Sequence, residues 1–171
     1  KLTQKNWVEP INSYVADLFK SQSGKGEPVY TDVKDILTTK DGDIIVFGNG
    51  WAKEHGNPAI DRNHLGSFVV SINQYGALNW GITRQAYSYT GYQQDGLSVS
   101  ATGLIAFATD DGIEILNFDG DKIGFIDQKG LHNPTFSQDG SKLFVVKESG
   151  GSATDSRQIE QYDLKSFKRD W

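Results

Sequence analysis

Apolar and polar residues alternate with a period of two in several parts of this chain. Asp32-Val33-Lys34-Asp35-Ile36-Leu37 reads as a half-buried strand on that ground. Ile44-Ile45-Val46-Phe47, Leu104-Ile105-Ala106-Phe107-Ala108 and Leu143-Phe144-Val145-Val146 are unbroken apolar runs of strand length. Such runs suit strands that are covered on both faces. Turn-forming residues stand between them: Lys40-Asp41-Gly42-Asp43, Asp110-Asp111-Gly112, Asp119-Gly120 and Gln138-Asp139-Gly140. The leading residues depart from this pattern. Trp7 to Ile11 and Tyr14 to Phe19 read either as a strand or as a short amphipathic helix, and Ser21 to Glu27 reads as loop.

Three segments carry one pattern: Phe68 to Trp80, Ile113 to Phe125 and Ile159 to Trp171. Each is an apolar strand, a turn opened by Asn or Asp, and a second strand ending on a large aromatic. The openers Asn73, Asn117 and Asp163 lie 44 and 46 residues apart. A period of that size, built from strands, predicts an all-β chain of β-propeller blades, each a four-stranded antiparallel sheet. Three blades are clear, over residues 30–94, 95–129 and 130–171. Residues 1–29 are an N-terminal segment or a degenerate fourth blade. Phe47, Phe107 and Phe144 are expected at equivalent positions on the buried strands.

Two stretches resemble known repeats. Asp35 to Phe47 followed by Ser67 to Trp80 is similar to bacterial propeller repeats of the PQQ-like kind. Asn133-Pro134-Thr135-Phe136-Ser137-Gln138-Asp139-Gly140-Ser141-Lys142-Leu143-Phe144-Val145-Val146 resembles the TolB and WD40-like repeat, with Gln138 where Pro is usual. The resemblance covers residues 30–171 and implies the propeller fold. It implies no single function, because propellers host enzymes, lectins and scaffolds alike. The residues that hold the quinone or its calcium in PQQ-like members have no match here, so no cofactor is expected. Closed propellers use four to eight blades. The chain is therefore a piece of a longer propeller, or a ring closed by oligomerisation, or a ring whose fourth blade lies in residues 1–29.

Composition narrows the partners. The net charge is −5 and no basic tract occurs, which argues against nucleic acid. No apolar run of about 18 residues exists to span a membrane as a helix. The 19 glycines suit a turn-rich β architecture. Cysteine is absent, which excludes disulfides, thiolate catalysis and cysteine-based metal sites. Methionine is also absent, even at position 1, which points to a start after a processing event or at a chosen boundary. A chain without either sulfur residue suits an extracytoplasmic or secreted setting.

Candidate chemistry is sparse. His55 and His64 share a polar loop with Glu54 and Asp61, and His55, His64 and Asp61 are weak metal candidates. Their spacing is not compact, and an exposed loop is polar in any case. His132 is expected to make a structural hydrogen bond. The Asp-rich turns are hairpin chemistry and lack the ligand spacing of a calcium loop. No nucleophile elbow and no phosphate-binding loop occurs. Trp51, Tyr87, Tyr89 and Tyr92 form the richest contact set, because aromatic faces with polar tips meet sugars and proteins well. The alternative for Tyr87 and Tyr89 is one face of a strand between blades. The favoured reading is a non-enzymatic interaction or scaffold module of a larger extracytoplasmic assembly. It would engage a protein partner, or itself, through its end blades. A carbohydrate-binding propeller and a fragment of a propeller hydrolase are the alternatives, and an enzyme is the less favoured class.

Overall fold

A computed structural model of the chain describes residues 11–19, 29–53, 62–85, 96–109, 111–149 and 156–171. Among these described residues are one helix, α1 (Ile11–Leu18), and twelve strands in three four-stranded antiparallel sheets. The first sheet is β1 (Val29–Thr38), β2 (Ile44–Lys53), β3 (Arg62–Ile72) and β4 (Leu78–Gln85). The second is β5 (Leu97–Val99), β6 (Leu104–Thr109), β7 (Gly112–Asn117) and β8 (Lys122–Asp127). The third is β9 (Leu131–Phe136), β10 (Lys142–Ser149), β11 (Ser156–Asp163) and β12 (Lys168–Arg169). Each is a simple meander in which neighbouring strands pair in chain order. These are propeller blades. The chain divides into two compact units, residues 1–85 and 86–171, the second holding two sheets.

The repeated turn openers act through local chemistry. Asn73 Oδ1 accepts hydrogen bonds from the backbone N–H groups of Tyr75 and Ala77. Asn117 Oδ1 accepts from Asp119 and Asp121, and Asp163 Oδ1 accepts from Lys165 and Ser166. All three are Asx turns, in which the side chain holds backbone groups that the tight chain reversal would otherwise leave unpaired. Gly76 and Gly120 take the left-handed conformation these turns need, at φ 89° and 88°. In the third turn Phe167 does so instead, at φ 54°. Its ring packs over Gly124 of β8, where a side chain would collide with it.

Counted from these turns, the three sheets share one register. Val46 pairs with Val70, Phe107 with Glu114, and Val145 with Glu160. Phe47 pairs with Val69, Ala108 with Ile113, and Val146 with Ile159. Phe47, Phe107 and Phe144 therefore occupy three different positions, contrary to expectation. Phe47 and Phe107 are buried, whereas Phe144 points to the half-exposed face between buried Leu143 and Val145. One contribution is turn length. Thr39 N bonds to Asp43 O and Ser100 N to Leu104 O, but Ser137 N bonds to Lys142 O, one residue further on. A one-residue slip moves every side chain to the opposite face.

In unit 1 the described part of residues 1–29 includes a helix. Ile11, Tyr14, Val15, Leu18 and Phe19 fall on one stripe at helical spacing. Val15 and Phe19 are fully buried against Val46, Phe68, Val70 and Ile72 of the first sheet. Gly50 and Gly81 admit the helix closely: a methyl at Gly81 would stand 2.7 Å from Leu18 Cδ1. The Tyr14 hydroxyl donates to the Gly76 carbonyl and ties α1 to the β3–β4 turn. In unit 2 the second and third sheets stack. Ala106, Ala108, Ile113, Ile115 and Ile126 meet Leu131, Leu143, Val145 and Tyr162 in one core. The first strand of the third sheet, β9, packs across β5, β6 and β7.

Candidate functional site

The stacking face of the second sheet has a counterpart on the third. Register equates Ala106, Ala108, Ile113 and Ile115 with Phe144, Val146, Ile159 and Gln161. The former four are fully buried. The latter form an open face: Ile159 is 63% exposed, while its equivalents Ile113 and Val69 are 0% exposed. A groove of about 490 Å³ runs along this face between β9, β10 and β11, lined by His132, Asn133, Val146, Glu148, Arg157, Gln158 and Ile159. Beside it Phe144 and Trp171 stand with ring centroids 6.4 Å apart, and Trp171 is 57% exposed.

The groove is mixed in chemistry. Arg157 Nε lies 2.8 Å from Glu148 Oε1. His132 Nε2 lies 3.8 Å from Glu148 Oε2, beyond hydrogen-bond reach. His132 Nδ1 is buried without a hydrogen-bond partner. His132 was expected to make a structural hydrogen bond; instead it presents an orphaned ring nitrogen in the groove wall. Backbone geometry explains its place: Leu131 and His132 pair with Lys147 and Val146, so Leu131 turns into the core and His132 to the open face.

At one end of the open face sits a charged cluster. Lys142 Nζ is 2.7 Å from Asp170 Oδ2 and 3.0 Å from Asp163 Oδ2. The lysine holds the Asp163 carboxyl down at about 2, helped by the Ser166 backbone N–H. It holds Asp170 below the ordinary carboxylate range too, with Gln161 assisting. Asp170 and then Asp163 raise the Lys142 ammonium in return. On the opposite, stacked face, Glu160 is buried and fully engaged. Arg169 Nη1 donates to its Oε1 at 2.6 Å, and Tyr162 and Gln128 donate to its Oε2 at 2.7 and 3.0 Å. Burial first, and then the Glu160 carboxylate, push the Tyr162 phenol well above its ordinary value. That network fastens the segment after β8 to the third sheet.

Of the contact set read from sequence, Trp51 alone falls among the described residues. Trp51 is buried on β2, 8% exposed, opposite Tyr30 and His64 in the ladder. Tyr87, Tyr89 and Tyr92 lie outside the described residues, as do His55 and Asp61. His64 lies on β3. Among the described residues no three metal-ligating side chains gather, and no helix is long and apolar enough to cross a membrane. Sequence reasoning missed Glu148, Arg157 and Ile159. The available signal was Ile159 itself, the repeat counterpart of Ile113, because the same-face residue two positions on is Gln161 where the second sheet has Ile115.

No protein-family model and no curated protein sequence matches the chain. Solved structures do. The chain is similar to the acylaminoacyl peptidase of Pyrococcus horikoshii, at 11% identity and a TM-score of 0.57 over 83% of its length. It is similar to the β-propeller domain of the Trilobed protease from Pyrococcus furiosus, which has an open velcro topology, at 14% identity and a TM-score of 0.52 over 83% of its length. It spans 24% of the first of these chains and 42% of the second. Likeness at this identity establishes the fold, and the fold is the β-propeller.

Proposed function

We propose that this propeller module is a non-enzymatic interaction part of a larger extracytoplasmic assembly and that it holds a protein through the open face of its third sheet. One observation carries the reading. Val69 and Ile113 are fully covered, yet Ile159 at the same register position stands in solvent beside a groove and an exposed Trp171. An apolar sheet face with a mixed polar margin is the make-up of a protein–protein contact. The extracytoplasmic setting rests on the absence of cysteine and methionine. The experiment is a photo-crosslinking amino acid at position 159, expressed in source cells. A discrete protein adduct is expected, and it should disappear when the probe is moved to the turn at Asp119. Absence of any protein adduct at 159 overturns the reading.

A further inference from the structure

We infer that α1 is an end cap: on the first sheet it holds the place of a neighbouring blade and keeps any further blade off that face. The inference concerns the first sheet alone and stands whatever the open face of the third sheet binds.

Register identifies the place. Val46, Val70 and Ile72 of the first sheet correspond to Val145, Glu160 and Tyr162 of the third. In the third sheet Val145 and Tyr162 are buried against the second sheet, and Glu160 accepts a hydrogen bond from Gln128 in the segment after β8. In the first sheet the same three positions are buried with Val15 of α1 and with Phe19 just after it. Val70 stands where the third sheet has Glu160, so the hydrogen bonds that fasten the third sheet to its neighbour have no acceptor at this position. The face is composed for an apolar stripe.

The seat is built for a helix. Gly50 and Gly81 lie inside β2 and β4, where glycine weakens a strand. Neither takes a positive φ, so the backbone does not call for glycine there. Close approach does. A Cβ at Gly50 would run into the Phe19 ring, and one at Gly81 would stand 2.7 Å from Leu18 Cδ1 and 3.2 Å from Val70 Cγ1. The Tyr14 hydroxyl, donating to the Gly76 carbonyl, fixes the helix at the β3–β4 turn. The back of α1 is polar, with Ser13 and Asp17 exposed. An apolar stripe turned to the sheet and a polar back turned to water are what the terminal element of a repeat array needs.

Exclusion follows from packing. Val15 and Phe19 are fully buried, so a blade arriving at this face must first expel both. A helix of eight residues is too short to persist away from the sheet, so displacement loses the helix as well as its packing.

The experiment uses the intact chain. It has no cysteine, so a single introduced thiol reports its own coverage. Val46→Cys and Val145→Cys place a thiol at one register position in two sheets, the first beneath α1 and the second beneath the second sheet. Both should react slowly with a maleimide. Adding Val15→Asp puts a charge where α1 meets its core. It should speed the thiol at 46 at least about tenfold and leave the thiol at 145 slow, because only the cap opens. In sedimentation velocity the Val15→Asp chain should associate at concentrations at which the parent chain does not, because an apolar sheet face then meets water. A thiol at 46 that reacts freely without Val15→Asp overturns the inference, since α1 then covers nothing. A thiol at 46 that stays slow with Val15→Asp overturns it too, since another layer then covers the face. If the thiols at 46 and 145 both become reactive, α1 is part of the core of the whole chain and not a cap. If the Val15→Asp chain stays as dispersed as the parent, the face attracts no other sheet and needs no cap.

Discussion

Ile113 and Ile159 are the same residue at the same point of two repeats, on β7 and β11, yet one is sealed and the other open. Each pairs with the preceding strand, Ile113 with Ala108 and Ile159 with Val146, but Ile113 also pairs with Ile126 of β8, whereas two-residue β12 does not reach Ile159. The layer beyond differs too: the third sheet lies over Ile113, and the groove lies over Ile159. A repeat thus fixes a side chain's direction, while burial depends on whether another layer stands against it. Substitutions made in pairs, one on each sheet, test that distinction directly.

The largest effect belongs to the aromatic pair. Phe107→Ala should cost about 3–5 kcal/mol, because a fully buried ring leaves a cavity. Phe144→Ala should cost less than about 2 kcal/mol, because its ring is on the open face and already partly in solvent. Urea denaturation of both variants checks this, and equal losses would show that the face of Phe144 is covered even in the isolated chain. The isoleucine pair comes next. Ile113→Ala should cost about 2–5 kcal/mol and Ile159→Ala within about 0.5 kcal/mol in the monomer. The contrast should shrink at high protein concentration if association buries Ile159, which makes the pair a probe of coverage as well as of packing.

Gly124 sharpens the comparison from the covered side. It lies on β8 directly under the Phe167 ring, so Gly124→Ala forces the ring or the strand to move. Overpacking of this kind should cost about 1–3 kcal/mol, read as a lower midpoint in the same denaturation experiment. The double variant with Phe167→Ala should recover most of the Gly124→Ala loss, because the collision then disappears. Loss without recovery would place the strain in the β8 backbone.

How far these sites were legible in the sequence follows the same division. Asn73, Asn117 and Asp163 were legible because an Asx turn is made within four residues, so the side chain announces its own geometry. The strand order followed, since each turn returns the chain beside itself. The register of Phe144 was not legible. It hangs on a Ser137–Lys142 turn that closes one residue later than its counterparts, a difference of hydrogen bonding rather than of composition. α1 was ambiguous because Tyr14, Val15, Leu18 and Phe19 suit a strand as well as a helix, and only the apolar faces of β2 and β3 decide between them. The groove was invisible for the reason given for Ile159: His132, Glu148 and Arg157 come from three strands, and nothing local marks them as neighbours.

The smallest expected effect concerns acid, and it again sets one repeat against the others. Asp163 stands where the other repeats carry Asn73 and Asn117. Its Oδ1 makes the turn, as theirs do, while its Oδ2 meets Lys142. Asp163→Asn keeps the turn acceptor and removes only the charge, so stability at pH 7 should fall slightly, in line with an exposed ion pair. The sign of the pH dependence follows from the lowered carboxyl. With a folded value of about 2 against an ordinary 3.8, the folded state binds fewer protons than the unfolded one. The contribution of Asp163 is therefore complete above about pH 4 and fades as pH falls from there toward 2. Asp170, lowered by the same lysine, fades in the same direction. Lys142, being raised, loses its contribution only as pH climbs past its ordinary 10.5. Melting temperature followed from pH 7 to pH 2 should drop more steeply below pH 4 in the parent chain than in Asp163→Asn, and the two curves should converge near pH 2. Parallel curves would mean that Asp163 acts through its turn alone, as its two asparagine counterparts do, and that Lys142 takes no part in holding this end of the open face.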